Sequence, residues 1–327
     1  MEENKSKYNT EELIGKADAL FAEMLKEGRY RELIDAMVNL GEYSLRNQML
    51  IMAANPNASH VEGMNGWNYR KRSVKPGEKS IKILAPVFAK EVTFDKDGRP
   101  TETVLDKVTG YKVNFVFDES QTQGEEEIRL FRTTPELLEE HYDFVKEVLQ
   151  GTIKGFRFEE SAELGDGVTS RLDTESGTIT IDSRLDKQAK LRTLINQIAA
   201  AAVLTRNRNN FKGLKTSEMN GVEMSAIYYI VSNRLGLKTE KLTVPDFSES
   251  SEKDIEKFAG NIGVIRSVSQ KMILEVENKL SYALFKQSEA AKAQEKSPTE
   301  ITDVKPVSEE KKPVAAKKAR SKAEVAM

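Results

Sequence analysis

Residues 43–87 change their apolar periodicity midway, which rules out both an all-helical and an all-strand architecture. Leu45, Met49, Leu50 and Ile51 recur at helical spacing until Asn55-Pro56, where the proline ring bars further helix. After Pro76-Gly77 the pattern turns to alternation from Ile81, which predicts a strand over residues 80–94. Asp95-Lys96-Asp97-Gly98 then reads as a turn. Between helix and strand lies a loop carrying Trp67, Tyr69, Arg70, Lys71, Arg72 and Lys75. Helix, basic aromatic loop and strand in succession predict an α+β fold.

The flanking segments extend this pattern. Asn9 and Glu12 form a capping pair for a first helix, which carries Leu13, Ala17, Leu20, Phe21, Met24 and Leu25 and stops at Gly28. A second helix is expected over 30–40, a third over 43–54 and a returning strand over 111–118. Residues 1–125 thus read as a helical and antiparallel-sheet domain, with an acidic linker over 121–127.

A second domain is expected over 126–285, mostly helical with a small sheet. Thr134, Pro135 and Gly151 frame one helix. Short strands follow at 156–160, 168–172 and 178–182, the last two joined by a turn at Thr174-Glu175-Ser176-Gly177. Long helices are expected at 186–206, 217–235 and 251–285, the last broken near 260–263. Residues 286–327 turn to Ala, Lys, Glu, Pro and Ser, too few apolar groups to offset chain entropy, so a disordered tail is expected.

Composition excludes several chemistries. With no cysteine there is neither a disulfide framework nor a thiolate site, and His60 and His141 are too few for a multi-histidine metal centre. No glycine-rich phosphate loop or nucleophile elbow is present, and no cofactor is expected. The polar, acidic N-terminus does not read as a secretory signal and no apolar run is long enough to span a bilayer, so a cytoplasmic location is the expectation. A net charge of −2 means that any nucleic-acid contact must rest on a local patch.

That patch is the loop of residues 67–79. Rings interleaved with cations suit unpaired nucleic acid, because rings stack on bases while Lys and Arg follow phosphates. Trp67, Tyr69, Arg70, Lys71, Arg72, Lys75 and Lys79 are the candidate binding residues. A lone tryptophan also serves as a core anchor, and Glu62 and Glu78 partly offset the charge. Tyr43, Asn47 and Gln48 form a secondary candidate set, although amides on an apolar helix more often tie down neighbouring backbone.

The blocks Tyr43-Ser44-x-x-Asn47-Gln48-x-x-Ile51, Trp67, Val74-Lys75-Pro76-Gly77-Glu78-Lys79-Ser80-Ile81, Ile83-Leu84-Ala85-Pro86-Val87 and Phe117-Asp118-x-Ser120-Gln121-Thr122-x-Gly124 follow one another in order. This arrangement resembles the N-terminal domain of ArdC-type antirestriction proteins, also found in plasmid TraC-type primases. The resemblance implies single-stranded DNA as partner and a role on a plasmid, conjugative element or phage in protecting incoming DNA; with no apolar run long enough to span a bilayer, no membrane partner is expected. It also implies a second domain like a zinc metallopeptidase, with a His-Glu-x-x-His helix. Here those positions read Asn196-Gln197-Ile198-Ala199-Ala200, and the third ligand falls near Ser225, with Glu223 close by. An amide and a methyl group replace the imidazoles, and Gln197 cannot act as a base. A zincin-like pseudoenzyme is therefore expected. Two alternatives stay open: a module whose cleft captures a protein partner, and an oxygen-ligand metal site rebuilt from Asn196 and Glu223.

Overall fold

The computed structural model describes residues 9–94, 100–124, 131–206 and 217–295, without the side chains of 90–94, 100–106, 217–218 and 291–295. The expected turn at 95–98, much of the linker and the chain after 295 lie outside the described residues. Residues up to Ala283 form one compact unit, and the chain from Leu284 belongs to a second.

Helix α1 (Thr10–Lys26) begins where the Asn9 side chain accepts from the backbone N–H groups of Glu11 and Glu12. Helix α2 spans Tyr30–Leu40. Helix α3 (Leu45–Ala54) starts later than its pattern suggests, because Ser44 serves as N-cap and its hydroxyl accepts from the Asn47 N–H. Strand β1 (Val61–Glu62), a single-turn helix α4 (Met64–Tyr69) and strand β2 (Ser73–Val74) occupy the stretch expected to be loop.

The long strands β3 (Ile81–Phe94) and β4 (Pro100–Asp118) pair antiparallel, with Ile81 opposite Val116 and irregularities around Phe88. Strand β1 adds to the other edge of β4, giving the order β1-β4-β3. Strand β5 (Thr122–Gln123) pairs with β2 in a separate small ladder. Ile81 and Ile83 alternate onto the face that meets Leu40, Ile51, Val61 and Val116, forming the core between α3 and the sheet.

The second half begins with α5 (Pro135–Glu140) and α6 (Tyr142–Gln150). One helix was expected, but His141 adopts φ −102° and ψ 29°, outside helical geometry, and splits it in two. Strands β6 (Arg157–Ser161), β7 (Ser170–Asp173) and β8 (Thr178–Asp182) form a sheet ordered β6-β8-β7. β6 runs parallel to β8, while β7 returns through a hairpin. Helix α7 (Lys187–Leu204) is capped by Asp186, which accepts from the Ala189 N–H. Helices α8 (Ser217–Arg234) and α9 (Glu252–Glu295) complete the fold.

Two expectations fail at α9. No break occurs near Gly260 and Gly263, because Ile255, Phe258, Ile262, Ile265, Ile273 and Val276 form one continuous buried stripe. The helix also continues past 286, so the first part of the expected tail is helical.

The two halves share an interior. The Tyr30 ring lies 6.0 Å from that of Phe258. The Tyr229 hydroxyl donates to Asp35 at 2.6 Å, and the Arg266 guanidinium donates to the Tyr43 carbonyl at 2.8 Å. At Gly41, a methyl group would collide with the Gln270 side chain and lie 2.8 Å from the Met37 carbonyl oxygen.

Candidate nucleic-acid interface

Helix α4 turns Trp67 inward. The indole is fully buried (0% exposed), its Nε1–H donates to the Phe117 carbonyl at 3.0 Å, and it meets the His60 ring edge-on at 5.3 Å. It is a core anchor and cannot stack on a base, which corrects its place in the candidate set. A six-residue helix is too short for hydrophobic periodicity to reveal, so the loop reading concealed which way Trp67 faces.

The secondary candidates are also structural. Asn47 exchanges two hydrogen bonds with the Leu84 backbone, and the buried Gln48 amide donates to the carbonyls of Leu40 and Tyr43. The Tyr43 hydroxyl donates to the Val61 carbonyl at 2.6 Å. All three tie α3 or its entry to neighbouring backbone.

The loop cations divide into two groups. Arg70 forms an ion pair with Glu62 at 2.7 Å, and His60 reaches the same carboxylate at 2.9 Å. Burial works against the charged Glu62, but Arg70 and His60 outweigh it and hold its pKa below the usual glutamate range. Arg72 donates to the Thr122 hydroxyl at 2.9 Å and so fastens the loop to β5. Arg70 and Arg72 hold the loop in shape through these bonds.

Tyr69, Lys71, Lys75 and Lys79 remain on the outside. Tyr69 is 91% exposed, and Lys71, Lys75 and Lys79 are exposed beside it in sequence. The Lys75 ammonium donates to the Ser120 carbonyl at 2.8 Å, which fixes its position. Lys71 has φ 57°, the one left-handed non-glycine residue among those described. Its N–H bonds the Asn68 carbonyl while the Arg72 N–H bonds that of Trp67. This is a Schellman closure of α4 with lysine where glycine is usual. The backbone is strained at the point where it projects a cation.

Sequence reasoning passed over two further exposed aromatic residues. On the β3–β4 hairpin, Pro86 lies opposite Tyr111 and Phe88 opposite Val108. Phe88 is 39% and Tyr111 47% exposed, with the exposed Lys107 and Lys112 on the same strand as Tyr111. The available signal was apolar residues at 86, 87 and 88 in a row, where a half-buried strand would alternate.

In the second half, α7 and α8 border a cleft of about 450 Å³. Asn196 lines it, but the other residues of the degenerate set do not. Gln197 donates to the Ser170 hydroxyl at 2.7 Å, and Ala200 is buried in the core. Glu223 is fully buried, paired with Arg206 at 2.9 Å and accepting from the Asn261 amide at 2.7 Å. Glu223 is thus engaged by Arg206 and Asn261 and does not line the cleft with Asn196. Zinc does not fit: an amide, a methyl group and a carboxylate already neutralised by arginine do not make a ligand set. Among the described residues, no three His, Cys, Asp or Glu side chains converge on one metal position.

Fold and site together define a mixed α+β protein that displays a cationic turn on its first half and, on its second, a cleft with no acid among the described residues lining it. Among the described residues, no helix is long and apolar enough to cross a membrane. Residues 6–134 match the family model for the N-terminal domain of anti-restriction factor ArdC, so this stretch of the chain is similar to that domain. It is 24% identical over 312 residues to an uncharacterized Bacillus anthracis protein, pXO2-81, a match covering 84% of this chain and 51% of the relative. The chain thus spans about half the length of that curated relative. Crystal structures of the antirestriction ArdC protein from R388 plasmid are also similar. The metal-free form is 14% identical, with a TM-score of 0.37 covering 72% of this chain and 86% of that one. The Mn(II)-bound form is 13% identical, with a TM-score of 0.31 covering 73% and 83%.

Proposed function

We infer that the protein binds single-stranded DNA without sequence preference and acts in antirestriction on a plasmid, conjugative element or phage. The observation that carries this reading is the Tyr69–Lys71 turn. A nearly bare phenol ring stands two residues from a lysine held in a strained conformation, with Lys75 and Lys79 following. Strain of this kind persists where the surroundings enforce it and function uses it. Ring and cations match the stacking and phosphate-following parts of a single-strand site. Similarity to the ArdC N-terminal domain over residues 6–134 supports the antirestriction setting. The second half is read as a non-hydrolytic relic of a peptidase, supported by the chemistry of Asn196, Gln197 and Ala200.

A fluorescence anisotropy titration with oligo-dT and with duplex tests this reading. The unpaired strand is expected to bind more tightly, and affinity to fall with salt. Tyr69→Ala and Lys71→Glu are each expected to weaken binding. Equal affinity for both substrates, or no effect of either substitution, overturns it.

A further inference from the structure

We propose that the cleft between α7 and α8 is a binding site for a phosphate monoester, of the size and chemistry of a nucleotide. The site is new with respect to the DNA-binding turn and stands on different residues.

The cleft arises from two helix faces. On α7, Ala189, Arg192, Thr193 and Asn196 share one face at intervals of three and four residues; on α8, Gly221, Met224, Ser225 and Tyr228 do the same. Lys241 and Ser170 close the sides. Among the described residues lining it, two are cations and none is an acid. Lys190, a neighbour of Arg192 on α7, is committed to Glu160 at 2.7 Å. Arg192 is half-buried and forms no ion pair or side-chain hydrogen bond among the described residues, and neither does the exposed Lys241 ammonium. A guanidinium that is partly desolvated without a counter-ion favours an incoming anion.

Charge and volume together select the anion. A single carboxylate neutralises one of the two cations, whereas a phosphate monoester carries about −1.5 to −2 near neutral pH and matches both. The Ser170 oxygen accepts from Gln197, which leaves its O–H free to donate into the cleft. The residue in the general-base position thus serves as an orienting group. Asn196 and Tyr228 add an amide and a ring. A volume of about 450 Å³ exceeds what bare phosphate needs and lies within the range of small-molecule pockets.

Isothermal titration of the full chain with dAMP tests the proposal. Binding is expected for dAMP, with deoxyadenosine at least tenfold weaker. Arg192→Ala and Lys241→Ala are each expected to weaken dAMP about tenfold; Lys241 is exposed, so its removal leaves the fold intact. Gly221 lines the cleft, and a Cβ added there meets nothing within 4 Å. Gly221→Leu therefore starts its side chain in open space at the cleft and is expected to abolish dAMP binding.

Lys71→Gly should leave dAMP affinity unchanged, which separates this site from the turn. Displacement of dAMP by a 5′-phosphorylated oligonucleotide, but not by its 5′-hydroxyl counterpart, identifies a strand end as the source; no displacement identifies free nucleotide. The proposal is overturned if dAMP does not bind, if Gly221→Leu binds it normally, if Lys71→Gly weakens it equally, or if a peptide with a free C-terminal carboxylate binds and dAMP does not.

Discussion

The side-chain amide of Asn47 and the backbone of Leu84 exchange two hydrogen bonds, Nδ2 donating to the carbonyl at 2.9 Å and Oδ1 accepting from the N–H at 2.8 Å. The amide takes the place that a neighbouring strand residue would have on the outer edge of β3, and so locks α3 to the sheet. Asn47→Leu fills the space but leaves a buried N–H and C=O unpaired. It is expected to cost about 2–4 kcal/mol in urea unfolding, with oligonucleotide affinity of the folded protein unchanged.

Trp67 and Tyr69 should separate cleanly into stability and binding. Trp67→Phe removes the bond to the Phe117 carbonyl and leaves a cavity, an expected loss of about 2–3 kcal/mol with little change in DNA affinity. Tyr69→Ala should leave the melting temperature in place and weaken single-strand binding by about 1–3 kcal/mol. Thermal melts and anisotropy on both variants check this.

Lys71→Gly is expected to move stability and binding in opposite directions. Glycine relieves the left-handed strain, a gain of about 1 kcal/mol. Loss of the cation should weaken DNA binding and reduce the steepness of its salt dependence by about 0.7 in log–log slope. A variant that is both less stable and equally tight in binding would contradict the assignment.

Part of the acid sensitivity should trace to Glu160. Hydrogen bonds from Lys190, then Lys146, hold its pKa below the usual glutamate range. A lowered folded-state pKa contributes stability that is fully present above the unfolded value, about 4.3, and lost as pH falls through the folded value. Glu160→Gln should therefore flatten the stability loss below about pH 4.3 and leave the curve near neutrality offset but parallel. Urea midpoints across that range provide the measurement.

Much of the fold was legible because the caps are local. Asn9 and Thr134 announce their helices through single side chains that bond backbone a few residues away, whereas the caps at Ser44 and Asp186 emerged only from the structure. What escaped depends on partners distant in sequence. The inward turn of Trp67 is set by a carbonyl at Phe117, and the commitment of Arg72 by a hydroxyl at Thr122. Glu223 looked available to a metal until Arg206 and Asn261 closed on it. In the loop of residues 67–79, residue type drew attention to the segment but could not reveal which side chains point outward.

The ring of Tyr30 against Phe258, and the bond from Arg266 to the Tyr43 carbonyl, mean that the first helices and the last one melt together. Occupancy at one end is then felt at the other through mass action alone, without any shape change. If a strand binds at the turn as proposed, it is expected to raise the unfolding temperature of the whole unit, the cleft included, by an increment that grows with the logarithm of its concentration.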